Sequence, residues 1–127
     1  MADWNMLAGW IGMMCGLISG AAIGLFFHQA DFAGGYGAFR RRLLRLGHVA
    51  FLGLGIINIL FSVTLAGGIL HLSHPRVASI LLIAGAGLMP AICFLAAWRS
   101  PFRHVFVIPV VCVAITIVMV LKGLMSS

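Results

Sequence analysis

Apolar residues fill four long runs of this chain, at 6–27, 48–67, 77–98 and 105–121, and polar residues collect in the short stretches between them. Each run approaches the ~20 apolar residues that carry a helix across hydrocarbon. A bilayer interior holds no water for backbone N–H and C=O groups, so runs of this length are expected to be helical. The expected fold is all-α: an integral-membrane four-helix bundle, with residues 1–127 forming a single transmembrane domain. The connections at 28–47, 68–76 and 99–104 leave no room for a soluble domain.

Composition agrees with the pattern. The chain is 63% hydrophobic and only 8% charged, with a mean hydropathy of +1.19. About 25% charged residues is usual for a soluble domain, so a soluble globular protein is excluded. The net charge of +6 would suggest nucleic acid in a soluble chain, but here the positive residues sit between apolar runs, as membrane topology requires. Nucleic acid and soluble substrates are therefore not expected partners. The start, Met1-Ala2-Asp3-Trp4-Asn5, lacks a positive region, so no cleavable signal peptide is expected.

Arg40, Arg41, Arg42 and Arg45 lie in the first connection, Arg76 in the second, Arg99 and Arg103 in the third, and Lys122 in the tail. Placing the first and third connections in the cytoplasm puts most of this charge inside, so both termini are expected outside. A bacterial inner membrane is the expected location. Phe39, Leu43 and Leu46 recur at helical spacing among the arginines, which predicts a short cytoplasmic amphipathic helix between the first two spans. Arg40, Arg41, Arg42 and Arg45 are its expected contacts to anionic lipids or a partner.

Small and polar residues mark the expected interior. Gly12, Gly16, Gly20 and Gly24 form a small-xxx-small ridge, which lets another helix approach to backbone contact. His48, Phe51, Gly55, Asn58 and Ser62 form a seam at spacings of three and four on the second span. A polar stripe facing lipid is costly, so this seam is expected to point into the bundle, with the Asn58 amide bonded to a neighbouring helix. Ser79, Ala86, Met89 and Cys93 mark the third span, and Pro109, Cys112, Thr116 and Met119 the fourth. Cys15, Cys93 and Cys112 form no CxxC pair and are read as small hydrophobes.

The five histidines are the main source of chemistry. His28, His48 and His104 fall at run ends on the expected cytoplasmic side, whereas His71 and His74 lie together on the other. Imidazoles from two helices at one depth can hold a haem b iron, and the same position suits contact with a quinone headgroup. His48, heading the polar seam, is the foremost candidate, with His28 and His104 as the others. No metal site is assigned to His71 and His74, which lack a convincing third ligand.

With its histidines near helix ends, the chain is similar in size and build to the haem-bearing anchors of succinate dehydrogenase and to cytochrome b561-like bundles. That similarity is architectural and transfers no residue roles. Small multidrug transporters carry an acid within a span, whereas Asp3 and Asp31 here lie outside the runs. The expected function is a small subunit of a larger membrane complex, of electron transport, contributing to a haem b or quinone site among other membrane subunits. No catalytic activity of its own is expected. The alternatives are a purely structural assembly subunit and a small oligomeric channel or transporter.

Overall fold

Four helices form on the apolar runs, each long and apolar enough to cross a membrane. Helix α1 (Ala2–Phe26) has Asp3 in its first turn, an acid at the positive end of the helix dipole. Helix α2 spans Phe39–Ala66. Helix α3 (Pro75–Trp98) opens on a proline, whose missing N–H is no loss in a first turn. Helix α4 (Val107–Met125) continues from a 3-10 segment, Ser100–Phe106, and its Pro109 likewise falls in the first turn. The computed structural model describes residues 2–126.

Helix α2 begins well before the apolar run. Residues 39–46 are its first two turns and not a separate surface helix, because nothing interrupts the chain at Gly47. There a Cβ would meet the Phe94 ring at 3.0 Å, so Gly47 serves a close contact with α3. Arg41, Leu44 and Gly47 are buried, whereas Phe39 and Leu46 are about half exposed. Apolar side chains on a membrane helix lose nothing by facing lipid, so small and polar residues claim the interior.

The helices pack in chain order, α1 on α2, α2 on α3 and α3 on α4, with α1 also touching α3. Helices α2 and α3 are central, while the apolar window of α1 is only 11% buried against 39% for α3. Trp4, Leu7, Trp10, Ile11 and Leu17 form the open face of α1. Val107, Ile108, Val111 and Val118 do the same for α4.

The glycine ridge of α1 is used inside the chain. A Cβ at Gly9 would stand 2.7 Å from the Gly55 carbonyl and 2.5 Å from Ile59 Cγ1. One at Gly12 would stand 3.3 Å from the Phe51 carbonyl, one at Gly16 would enter the Leu52 side chain, and one at Gly20 would enter the His48 ring. Gly24 meets nothing within 4 Å, so the ridge ends before it. The working row therefore starts one turn earlier than the spacing-of-four pattern suggests.

Gly9→Leu should weaken the bundle by about 1–3 kcal/mol, because the clash is with backbone that cannot yield. Gly24→Ala should leave stability unchanged or raise it by up to about 1 kcal/mol, the gain of helix propensity. Unfolding in a mixed-detergent titration measures both, and equal shifts for the two variants would refute this packing.

Candidate functional site

The polar seam of α2 points inward as its spacing predicts. Gly55, Asn58 and Ser62 are buried, and His48 and Phe51 are partly buried. Toward the C-terminal half of α2 the seam becomes a hydrogen-bonded network joining three helices. The Ser79 hydroxyl donates to Asn5 Oδ1, and Asn5 Nδ2 donates to Asn58 Oδ1 at 2.8 Å. Asn58 Nδ2 then donates to the Leu54 carbonyl at 2.9 Å. All the donors run in one direction, so each bond polarises the next. Ser62 adds a bond to the Ala2 carbonyl at 2.6 Å, and Thr116 ties α4 to α3 through the Ala78 carbonyl at 3.3 Å. The side chains of Asn5, Asn58 and Ser79 are wholly buried and satisfied, which marks the network as a helix clamp.

At the other end of the seam lies His48. Its Nδ1 is 2.8 Å from the Gly16 carbonyl, and the Ser19 hydroxyl stands 3.4 Å away. Ser19 itself donates to the same carbonyl at 3.1 Å. A carbonyl oxygen only accepts, so His48 Nδ1 carries a proton. Nε2 makes no hydrogen bond with any described residue. The ring rests on α1 at Gly20, where any side chain would collide with it.

His28, His48 and His104 are not gathered. His28 follows the end of α1, two helical turns or about 10 Å beyond the Gly20 level that His48 occupies. His104 belongs to the 3-10 segment packed on α3 and α4, away from α1, and its Nε2 accepts from Arg103 Nε at 3.4 Å. Among the described residues, no three His, Cys, Asp or Glu side chains assemble as a metal site. On the opposite end, His71 and His74 line a cavity of about 190 Å³ together with Met119 and Lys122.

The arginines of the first connection divide into different environments. Arg41 is fully buried, so its guanidinium is withdrawn from any lipid or partner surface. Its Nη2 donates to the Phe27 carbonyl at 2.6 Å and its Nη1 to the Gln29 carbonyl at 3.3 Å, which closes the C-terminal end of α1. It lies 4.2 Å from the centre of the Phe27 ring and 3.9 Å from that of Tyr36, and Nε has no partner among the described residues. Tyr36 also donates to the Phe27 carbonyl, at 3.1 Å. The turn that brings Tyr36 there uses positive φ at Ala33, Gly34 and Gly35, a run that glycine makes tolerable. Arg42 and Arg45 bond the Gly37 and Tyr36 carbonyls. Arg40 reaches across to α3 and donates to the Ala97 carbonyl at 2.8 Å.

Asn5, Gly9 and the Arg41–Tyr36 pairing were the residues that spacing alone did not single out. Asn5, Gly9 and Gly16 share one face of α1, which was a readable signal. The aromatic cage had none, since it depends on how the connection folds.

Asn58→Ala should destabilise the protein by about 1–3 kcal/mol by leaving Asn5 buried with an unpaired amide. A double-mutant cycle between Asn5 and Asn58 should return a coupling of about 0.5–2 kcal/mol. Strict additivity would mean that the two amides do not interact.

No family model matches the chain, and no curated protein or solved structure matches it either, so its chemistry is read from its own side chains.

Proposed function

We propose that the chain is a small four-helix subunit of a larger membrane complex of electron transport, and that His48 is the ligand it contributes. The observation that carries this reading is the bond from His48 Nδ1 to the Gly16 carbonyl. With a proton on Nδ1, the ring in its neutral form would carry its lone pair on Nε2. Histidines that ligate metals are oriented in the same manner, by a second bond from the other ring nitrogen to a carbonyl or carboxylate. A ring that must ligate in a defined direction needs such a bond; a ring that merely fills space does not.

The same tautomer separates two cofactor classes. A quinone carbonyl needs a donor, which a neutral His48 cannot offer from Nε2. A haem iron or a quinol hydroxyl needs a lone pair, which it can. Haem b is therefore the preferred ligand, which His48 would hold through Nε2. Since His28 and His104 stand elsewhere, any further ligand would come from a partner subunit. The arginine asymmetry favours both termini outside, in a bacterial inner membrane. A cofactor-free assembly subunit is the second reading, favoured by the open apolar faces of α1 and α4.

A reduced-minus-oxidised visible spectrum of the intact complex in mild detergent tests the proposal. The expected result is an α-band that is lost or displaced in His48→Ala and kept in His28→Ala and His104→Ala. A band indifferent to His48→Ala removes that residue from the role. A flat spectrum from the intact complex leaves the assembly reading in its place.

A further inference from the structure

We infer that the corner where α2 begins and α3 ends binds the headgroup phosphate of an anionic phospholipid, through Arg40, Arg99 and Arg103 beside Trp98. The inference rests on the helices spanning a membrane and not on the role given to His48.

The sequence presents the arginines as two separate groups in two connections. The fold joins them. Arg40 crosses from the start of α2 to the last turn of α3, where its Nε donates to the Ala97 carbonyl and its guanidinium lies 4.6 Å over the Trp98 ring. Arg99 follows Trp98 directly as the helix cap, and Arg103 lies one turn further along the 3-10 segment that packs on α3. The side chains of all three arginines are exposed.

The remaining arginines of that end are otherwise engaged, Arg41 in burial and Arg42 and Arg45 on the carbonyls of their own connection. Arg40 differs from them in how it is held. One bond through Nε and one stacked ring fix the guanidinium plane, yet both terminal nitrogens make no bond with any described residue. That is the fork which pairs with two oxygens of a phosphate. The chain has two acids, Asp3 and Asp31. Asp3 lies in the first turn of α1 at the opposite end, and Asp31 makes no ion pair with any of the three arginines. Among the described residues no carboxylate pairs with any of the three, so an anion that serves this helix end would come from outside the chain.

The surroundings select a lipid over a free anion. Trp98 is exposed, and tryptophan is enriched at the headgroup level of membranes. Leu95, Val105 and Val107 expose apolar surface on the adjoining turns, where acyl chains attached to the phosphate would lie. Lys and Arg clusters at the membrane surface attract anionic headgroups.

Native mass spectrometry of the full chain in detergent, with phosphatidylglycerol or phosphatidylcholine added, tests this. Phosphatidylglycerol should be retained in preference to phosphatidylcholine. Arg99→Ala and Arg103→Ala should each lower its affinity about five-fold, the effect of one interfacial arginine. Neither side chain bonds another helix, so the fold should survive both changes. Arg40→Lys, which keeps the charge but loses the fork, should also lower retention. Equal retention of the two lipids, or indifference to Arg99→Ala and Arg103→Ala together, overturns the inference. Displacement by millimolar inorganic phosphate overturns the choice of a lipid. The haem spectrum of Arg99→Ala should match that of the unaltered complex, so failure here and failure of the His48 reading are separable.

Discussion

Between α1 and α2 there is no space for a side chain at Gly9 or at Gly55. A Cβ on Gly55 would stand 2.9 Å from the Gly9 carbonyl, as one on Gly9 would press on the Gly55 carbonyl. Lipid offers no hydrophobic reward for joining two apolar helices, so close backbone packing has to supply much of the attraction. That closeness governs the other contacts between the two helices. It brings the short Asn5 side chain within reach of Asn58, lets Ser62 bond the Ala2 carbonyl, and seats the His48 ring on Gly20. Each of these contacts uses a side chain too short to tolerate a wider helix separation.

Arg41 does the corresponding work at the other end, by different means. Burying a guanidinium is costly unless its charge is compensated. Here compensation comes from carbonyls at the negative end of the α1 dipole and from the faces of Phe27 and Tyr36. The arrangement needs no carboxylate. It also fixes the first connection as part of the bundle, because Tyr36 and Arg41 share the Phe27 carbonyl. A segment that reads as a positive topology signal thus supplies a structural cation as well.

The four helices and the inward seam of α2 were legible because a polar residue in an apolar run can hardly face lipid. His48, Phe51, Gly55, Asn58 and Ser62 follow that logic without exception. The separate amphipathic helix read from Phe39, Leu43 and Leu46 is instead the start of α2, with Phe39 and Leu46 half exposed. Depth was the other illegible quantity. His28 and His48 look level if the second helix begins at the apolar run, but α2 starts at Phe39 and its first two turns intervene. The joining of Arg40 to Ala97 and Trp98 was hidden as well, since residues so distant in the chain meet only through the packing of α2 on α3.

The placement of His48 is set by where the two fastenings lie. From Arg40, stacked on Trp98, to Asn58, bonded to the residue after Trp4, α2 rises about 27 Å. The network of Asn5, Asn58 and Ser79 holds one end and Arg41 the other. His48 lies between them, about 10 Å from Arg41 and about 15 Å from Asn58 along the helix. In that stretch α1 and α2 touch mainly through glycine, and among the described residues His48 makes the one side-chain bond to the α1 backbone. Any engagement of this ring would therefore fall between the two fastenings and on neither of them.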